Sequence, residues 1–402
     1  GMVDVRVISN KERVNSVRVR PLSYKITPDC VGDTVTFSLS RPRNLSVEVN
    51  GDIFHNLHLF ANPIDKFRPS DKEIQRALKK KKGSNLIYFG PGVHNLPNDT
   101  LFVPSGTTVY IDGGARVYGN IFTEGAHDVN IFGRGEVHPD GRGAGVWVRR
   151  SKNVRIDGIV VSQLPIGQCD SVELTNVKSI SYYGWGDGMD VFSSSNVILD
   201  GVFCRNSDDC AAVYASTQGF KGGSNNVLVK NATLWADVAH PINIGGHGDP
   251  NGMDTVQNVT FRNIDILDQA EKQIDYQGCL AINPGDNTLV RNITFENIRI
   301  EDFRNGQLVN FRISFNPKYC VSTGRGIQNV LVKDVTYNGS GENLSIIAGY
   351  DENHKISGIR FVNLVVNGRK ITDDMPGKPK WYKTGDMAGI FVGEHVENLS
   401  FE

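Results

Sequence analysis

The chain has 402 residues, a formal net charge of −1, 39% apolar residues and 43 glycines. That length is ample for a large core and for one to three domains. The near-zero charge leaves no basic field to attract nucleic acid, and no run approaches the ~18 apolar residues of a membrane-spanning helix. In the first 65 residues, VRVRPLSYKI, TVTFSLSRP, LSVEVNG and LHLFANP are short alternating runs bounded by Pro, Gly and Asn, the pattern of an antiparallel sheet or sandwich. Asn50-Gly51 is a hairpin signal, and Pro63 to Pro69 reads as a linker. Residues 1–65 are therefore expected to form a small β-sandwich domain and 66–402 a second domain. A helix near 70–82 opens the second domain, with Ser70-Asp71-Lys72-Glu73 as a capping box, Ile74, Ala77 and Leu78 as an apolar stripe, and Gly83 as the stop. The lysines at 79–82 suit the last turn of that helix, where cations complement its dipole.

From about residue 86 the chain repeats. DVNIFGRGEV (128–137), NVRIDGIVV (153–161), NVILDGVFC (196–204), NVTFRNIDI (258–266), NITFENIRI (292–300) and NVLVKDVTY (329–337) share one pattern, Asn or Ser, then apolar residues at every second position, with Gly or Asn at a central bend. The starts lie about 18 to 37 residues apart, too irregular for a propeller but natural for a solenoid with insertions on one face. Alternation without interleaved helices points to a parallel β-helix with Asn side chains aligned at the coil corners. Its open end would be a sheet edge, which the helix at 70–82 is placed to cover. The sequons Asn258-Val-Thr and Asn292-Ile-Thr fall inside these strands and read as corner asparagines. Cys30, Cys169, Cys204, Cys210, Cys279 and Cys320 show no CxxC pair and no zinc-ligand spacing; they read as small buried apolar residues, with a Cys204–Cys210 bridge left open. No secretory leader opens the chain, but Gly1-Met2 reads as a start added in cloning, so a leader is expected to have been cut away.

The chemistry concentrates in residues 181–216. Asp187 with Asp190, and Asp208 with Asp209, form two carboxylate clusters 21 residues apart, about one repeat, with NVILDGVFC between them. In stacked coils the second cluster sits one rung above the first, roughly 4.8 Å away. Carboxylates that close raise the pKa of at least one of them, which keeps an acid protonated near neutral pH. For Asp208 and Asp209 to serve one site, the backbone must bend at Asn206-Ser207-Asp208-Asp209.

Asp187-Gly188-Met189-Asp190, Asn206-Ser207-Asp208-Asp209-Cys210 and Gly246-His247-Gly248 resemble the ordered motifs of the polygalacturonase family (family 28 glycoside hydrolases). LSVEVNGD and LHLFANP resemble the β-sandwich that precedes the β-helix in the dextranase and isopullulanase family (family 49). The resemblance implies an all-β fold, a right-handed parallel β-helix after a small N-terminal β-sandwich. It also implies an inverting glycoside hydrolase with Asp208 as general acid, and Asp187 and Asp209 positioning water. His247 then contacts the acid or the sugar. Trp185, Asp190 and His240, with Arg312, Lys318 and Tyr319 from FRISFNPKYC, are candidate substrate-binding residues; Trp235 reads as core. The chain departs from the family where Trp185-Gly186 stands before Asp187, and where Leu280-Ala281-Ile282 stands at the Arg-x-Lys motif that holds a uronate. The expected substrate is therefore a polysaccharide or oligosaccharide, plant or microbial, that is neutral at the catalytic subsite. No metal and no cofactor are expected, and the protein is expected to be secreted or periplasmic. A polysaccharide lyase and a non-catalytic glycan-binding solenoid remain alternatives on the same fold.

Overall fold

In Thr34–Leu39 every second residue is apolar, and in the computed structural model of the protein Val35, Phe37 and Leu39 are all buried. The structure describes residues 1–79, 83–139, 141–340 and 342–402. It divides into two compact units, Gly1–Lys66 and Phe67–Glu402.

The first unit holds two antiparallel three-stranded sheets. One pairs Val3–Ile8 and Asp29–Val31 with Thr34–Leu39; the other pairs Val17–Arg20 and Leu57–Ala61 with Arg43–Val49. Val14, Val19, Val35, Phe37, Leu39, Leu45 and Val47 form the apolar cluster between these strands. Asn50 and Gly51 both have positive φ (53° and 77°) and start the connection that follows Arg43–Val49.

The second unit is a right-handed parallel β-helix. Its helix Asp71–Leu78 begins at Ser70, whose Oγ accepts from the Glu73 N–H while Glu73 Oε2 accepts from the Ser70 N–H at 2.8 Å. The helix lies against Leu86–Phe89, a strand at the start of the solenoid. Ile74 is its buried residue, whereas Leu78, expected in the apolar stripe, is 57% exposed. Lys80, Lys81 and Lys82 of the basic run lie outside the described residues.

Each coil stacks its apolar residues on those of the next. Val129, Val154, Val172, Val197, Val227, Val259, Ile293, Val330 and Ile359 make one unbroken column of in-register partners. All nine are at most 2% exposed. The residue before each valine or isoleucine turns a corner with φ between +55° and +73°, a left-handed conformation that Asn tolerates better than most side chains. Asn153, Asn196, Asn226, Asn258, Asn292 and Asn329 take it. Their amides link coil to coil: Asn226 donates to Asn196 Oδ1 at 2.7 Å, Asn292 to Asn258 at 3.2 Å and Asn329 to Asn292 at 3.3 Å. A second ladder runs from Asn231 through Asn263 to Asn297. The two sequon asparagines thus have structural places in the corner ladder. All six cysteines are free thiols, with no Cys204–Cys210 bridge, and Cys30 is exposed where burial was expected.

Phe295 is fully buried and stacks on Phe261 at 5.8 Å and on Phe311 at 6.0 Å. Phe295→Ala should cost about 3–5 kcal/mol and lower the chemical-denaturation midpoint accordingly. An unchanged midpoint would contradict coil-on-coil stacking as the source of stability.

Candidate active site

Two loops at the same level of neighbouring coils carry the carboxylates. Asp187 lies between strands Lys178–Ile180 and Met189–Phe192; Asp208 and Asp209 lie between Phe203–Asn206 and Ala211–Tyr214. Asn206, fully buried, ties the loops together. Its amide donates to Ser179 Oγ and Ser181 Oγ, both at 3.0 Å, and to the Asp187 carbonyl at 3.2 Å. Gly188 permits the close approach, since a Cβ there would lie 2.2 Å from the Cys210 carbonyl. The coil step at this point is 22 residues, from Met189 to Ala211, and the Gly188 N–H donates to the Asp209 carbonyl at 2.7 Å. Asp187 is therefore level with Asp209, one residue later than the 21-residue offset expected from sequence. The chain bends at 207–208, where Asp208 and Asp209 require it to.

Asp187, Asp208 and Asp209 each present an oxygen within 4.8 Å of the others. Asp209 is buried and saturated. Its Oδ1 accepts from the His240 N–H at 3.0 Å and from His240 Nδ1 at 2.7 Å; its Oδ2 accepts from Tyr214 Oη at 2.6 Å and Asn243 Nδ2 at 2.8 Å. Burial pushes this carboxyl upward, but the attraction and hydrogen bond of His240, with the bonds of Asn243 and Tyr214, outweigh it and bring the pKa to about 2. Asp208 moves the other way. Burial first, then the charge of Asp209, push it up to about 7. Asp187 is held well above the ordinary carboxylate range by burial, then by Asp208 and Asp209. Asp190 is likewise raised, by burial and then by Asp187. One fixed anion thus faces three carboxyls, Asp187, Asp190 and Asp208, whose pKa values are raised, and such a set titrates as a group.

These carboxylates open into a cavity of about 280 Å³. Trp185, Asp190, His240, His247 and Tyr319 of the expected site residues line it. Trp185 is 70% exposed at its rim, while Trp235 is fully buried. Asp190 Oδ1, His240 Nε2 and Asn243 Oδ1 are buried without a hydrogen-bond partner among the described residues, so the cavity offers polar atoms to a ligand. Arg312 and Lys318 are not among the lining residues. The Arg312 guanidinium pairs with Asp275 at 2.5 Å, and Lys318 Nζ rests 4.8 Å from the Tyr319 ring and 5.8 Å from Tyr276.

Both histidines line the cavity, in different surroundings. His240 makes the bonds to the carboxylate cluster, whereas the His247 ring lies edge-on to Tyr214 at 5.1 Å and to Tyr319 at 6.5 Å, and burial lowers its pKa. The glycines around His247 accommodate the protein's own chain: a Cβ on Gly248 would lie 2.0 Å from Thr288 Oγ1. Tyr214 and Asn243, which complete the shell of Asp209, were not singled out from sequence, nor were Tyr276 and Asn316 on the cavity wall. The signal was a polar residue at a buried strand position, in AAVY and in INI.

The Asp187, Asp208 and Asp209 oxygens are also the described group able to approach a metal ion. The donors on Asp209 already occupy both of its oxygens. That leaves two carboxyls whose pKa values are raised, a poor match to the six to eight oxygens of a calcium site.

Residues 146–375 match the profile of glycosyl hydrolases family 28. A polygalacturonase of Juniperus ashei is 26% identical, the match covering 65% of this chain and 54% of that protein. Among solved structures, Dex49A from Penicillium minioluteum superposes with a TM-score of 0.66 at 15% identity, over 99% of this chain and 82% of that one. The family 28 exopolygalacturonase of Yersinia enterocolitica gives 0.57 at 12% identity, over 90% of this chain and 85% of that one. At these identities the structural likenesses establish the fold alone. The chain spans about half the length of the curated relatives it matches. With more than half of its length matched to the family profile, the chain belongs to glycosyl hydrolases family 28.

Proposed function

We propose that the protein is a glycoside hydrolase that cleaves a polysaccharide or oligosaccharide with inversion, outside the cytoplasm. The supporting observation is the opposed tuning of adjacent carboxyls, Asp209 brought to about 2 and Asp208 to about 7. Asp208 donates its proton to the glycosidic oxygen as the bond from that oxygen to the anomeric carbon breaks. A water attacks the anomeric carbon from the opposite face and loses a proton to Asp187 in its ionised form, while Asp209 remains the fixed anion that keeps Asp208 protonated. The products are the freed hydroxyl and a sugar of inverted configuration.

The mutual approach of these carboxyls is closer than the roughly 6.5–9.5 Å common in inverting enzymes. Inversion is nonetheless favoured because the carboxylate that ionises most readily, Asp209, is not free to attack. Asp209 has all its lone pairs engaged by four donors. Asp208→Asn keeps the shape and removes the proton; losing it should lower turnover by about 10²–10⁴-fold with little change in thermal midpoint. Near-normal turnover on a substrate with a poor leaving group would sink the assignment.

The catalytic subsite takes a neutral sugar in this reading. No arginine or lysine is among the described lining residues of the cavity, and a carboxylate bound there without a cation would be costly. Arg312 is committed to Asp275. Paired assays on polygalacturonate and on neutral glycans, including α-glucans, galactans and rhamnose-containing side chains, should give faster release from one of the neutral set. Efficient release of galacturonic acid with little action on the neutral panel would reverse this part of the proposal.

A further inference from the structure

The coil register carries an unusual column away from the cavity. Outward positions of a solenoid strand ordinarily bear polar side chains, as Arg116 and Asn120 do in Ala115–Glu124. On the face that holds the carboxylates, the outward residues of three successive rungs are instead Phe102, Phe122 and Trp147, paired directly in register. Phe102 and Phe122 stack at 5.4 Å, and Phe102 is 61% exposed. The Arg149 guanidinium lies 4.6 Å over Phe122 and 5.8 Å over Trp147, and pairs with Glu124 at 2.6 Å.

The same register leads to the catalytic rung. Val148 pairs with Ile166 and Ile166 with Val191, so Trp147 stands in line with Pro165 and then with Asp190, which lines the cavity. Trp147 is two rungs from Asp190 and Phe102 four rungs, about 10 and 19 Å at the spacing of paired strands. Across the gap the aromatic packing continues beneath the surface, in a cluster of buried rings. Phe220 covers Gly167, where a Cβ would lie 2.4 Å from its ring, and stacks on Phe192 at 6.1 Å; Trp147 packs against this cluster, and Phe192 and Tyr214 reach the cavity wall.

We propose that Phe102, Phe122 and Trp147, with Arg149, form a distal glycan-binding platform that holds the polymer as it leaves the cavity toward the N-terminal end of the solenoid. The apolar faces of sugar rings pack on aromatic rings by burial and dispersion, and the guanidinium supplies donors to their hydroxyls. The platform extends the proposed glycan-cleaving site, on which it rests, and makes chain length a determinant of affinity. Substrates long enough to span both the cavity and the three rings bind tightest.

Binding tests this without turnover. Asp208→Asn protein is run in native gels containing dextran, β-1,4-galactan or polygalacturonate, and the affinity for the retarding polymer is then measured with its oligosaccharides from dimer to octamer. Retardation by at least one polymer is expected, with affinity rising along the oligosaccharide series. Adding Phe102→Ala and Phe122→Ala should weaken polymer binding roughly tenfold and flatten the length dependence, with the thermal midpoint held. Phe102→Ala alone, at the exposed end of the column, gives the same direction should the double change disturb folding. Retardation by none of the polymers, or equal affinities and equal length dependence in parent and variants, would overturn the platform. Should binding follow the rings while the unsubstituted protein hydrolyses no glycan, the platform stands and the hydrolase reading falls.

Discussion

The inward face of a β-helix coil can be covered only by the coil's own strands across the interior and by the coils before and after it. Every structural feature of the large unit answers to that constraint. The valine column from Val129 to Ile359 exists because each strand must present an apolar residue at the same height as its neighbour. The corner asparagines exist because the chain must turn into a left-handed conformation at fixed points, and stacking then brings their amides within bonding distance. Insertions are tolerated only between these points, so the variable loops gather where they do not interrupt a column. The carboxylate loops are such insertions, and the columns beneath them hold their relative height.

That support allows the protein to bury a negative charge. Asp209 is a carboxylate with almost no exposure, a costly arrangement unless its oxygens are bonded. Its donors come from its own coil, in Tyr214, and from the next, in His240 and Asn243. The backbone that delivers His240 is itself fixed. Ala239 takes a left-handed conformation at φ +58°, its N–H donating to the buried Glu271 at 3.2 Å and its carbonyl accepting from Gln269 at 3.1 Å. The ionised Asp209 then acts on Asp208 and Asp187, whose bonds to donors are few and whose burial already favours the neutral form. Two adjacent residues in one bend thus acquire opposite protonation preferences from what surrounds them.

The sequence makes the columns legible because they obey a local rule, an Asn or Ser at a left-handed corner followed by strict alternation. The carboxylates are legible because two acidic pairs lie about one repeat apart. What stacks on what is less so. The step from Met189 to Ala211 is 22 residues, yet the next, from Ala211 to Ile242, is 31, and loop length, which has no local rule, sets the difference. Hence Asp187 falls level with Asp209 and not with Asp208, and His240 is placed over the cluster while His247, the more conspicuous of the two between its glycines, faces two tyrosine rings. Tyr214 and Asn243 stay hidden for the same reason. A tyrosine or asparagine in an alternating strand reads as ordinary until the coil above and the coil below are known. Arg312 illustrates the reverse case, a cation whose partner, Asp275, lies a whole coil away.

The central claim is that the fixed charge of Asp209, added to burial, keeps a proton on Asp208 near neutrality. Titration of the Asp208 side-chain carboxyl carbon by NMR, in the parent protein and in Asp209→Asn, addresses it directly. The account predicts a midpoint of about 7 in the parent, the proton present below that pH and lost above it. It also predicts a clear downward displacement once the neighbouring charge is removed. A parent Asp208 titrating near the ordinary 3.8, or a midpoint unmoved in Asp209→Asn, would contradict it.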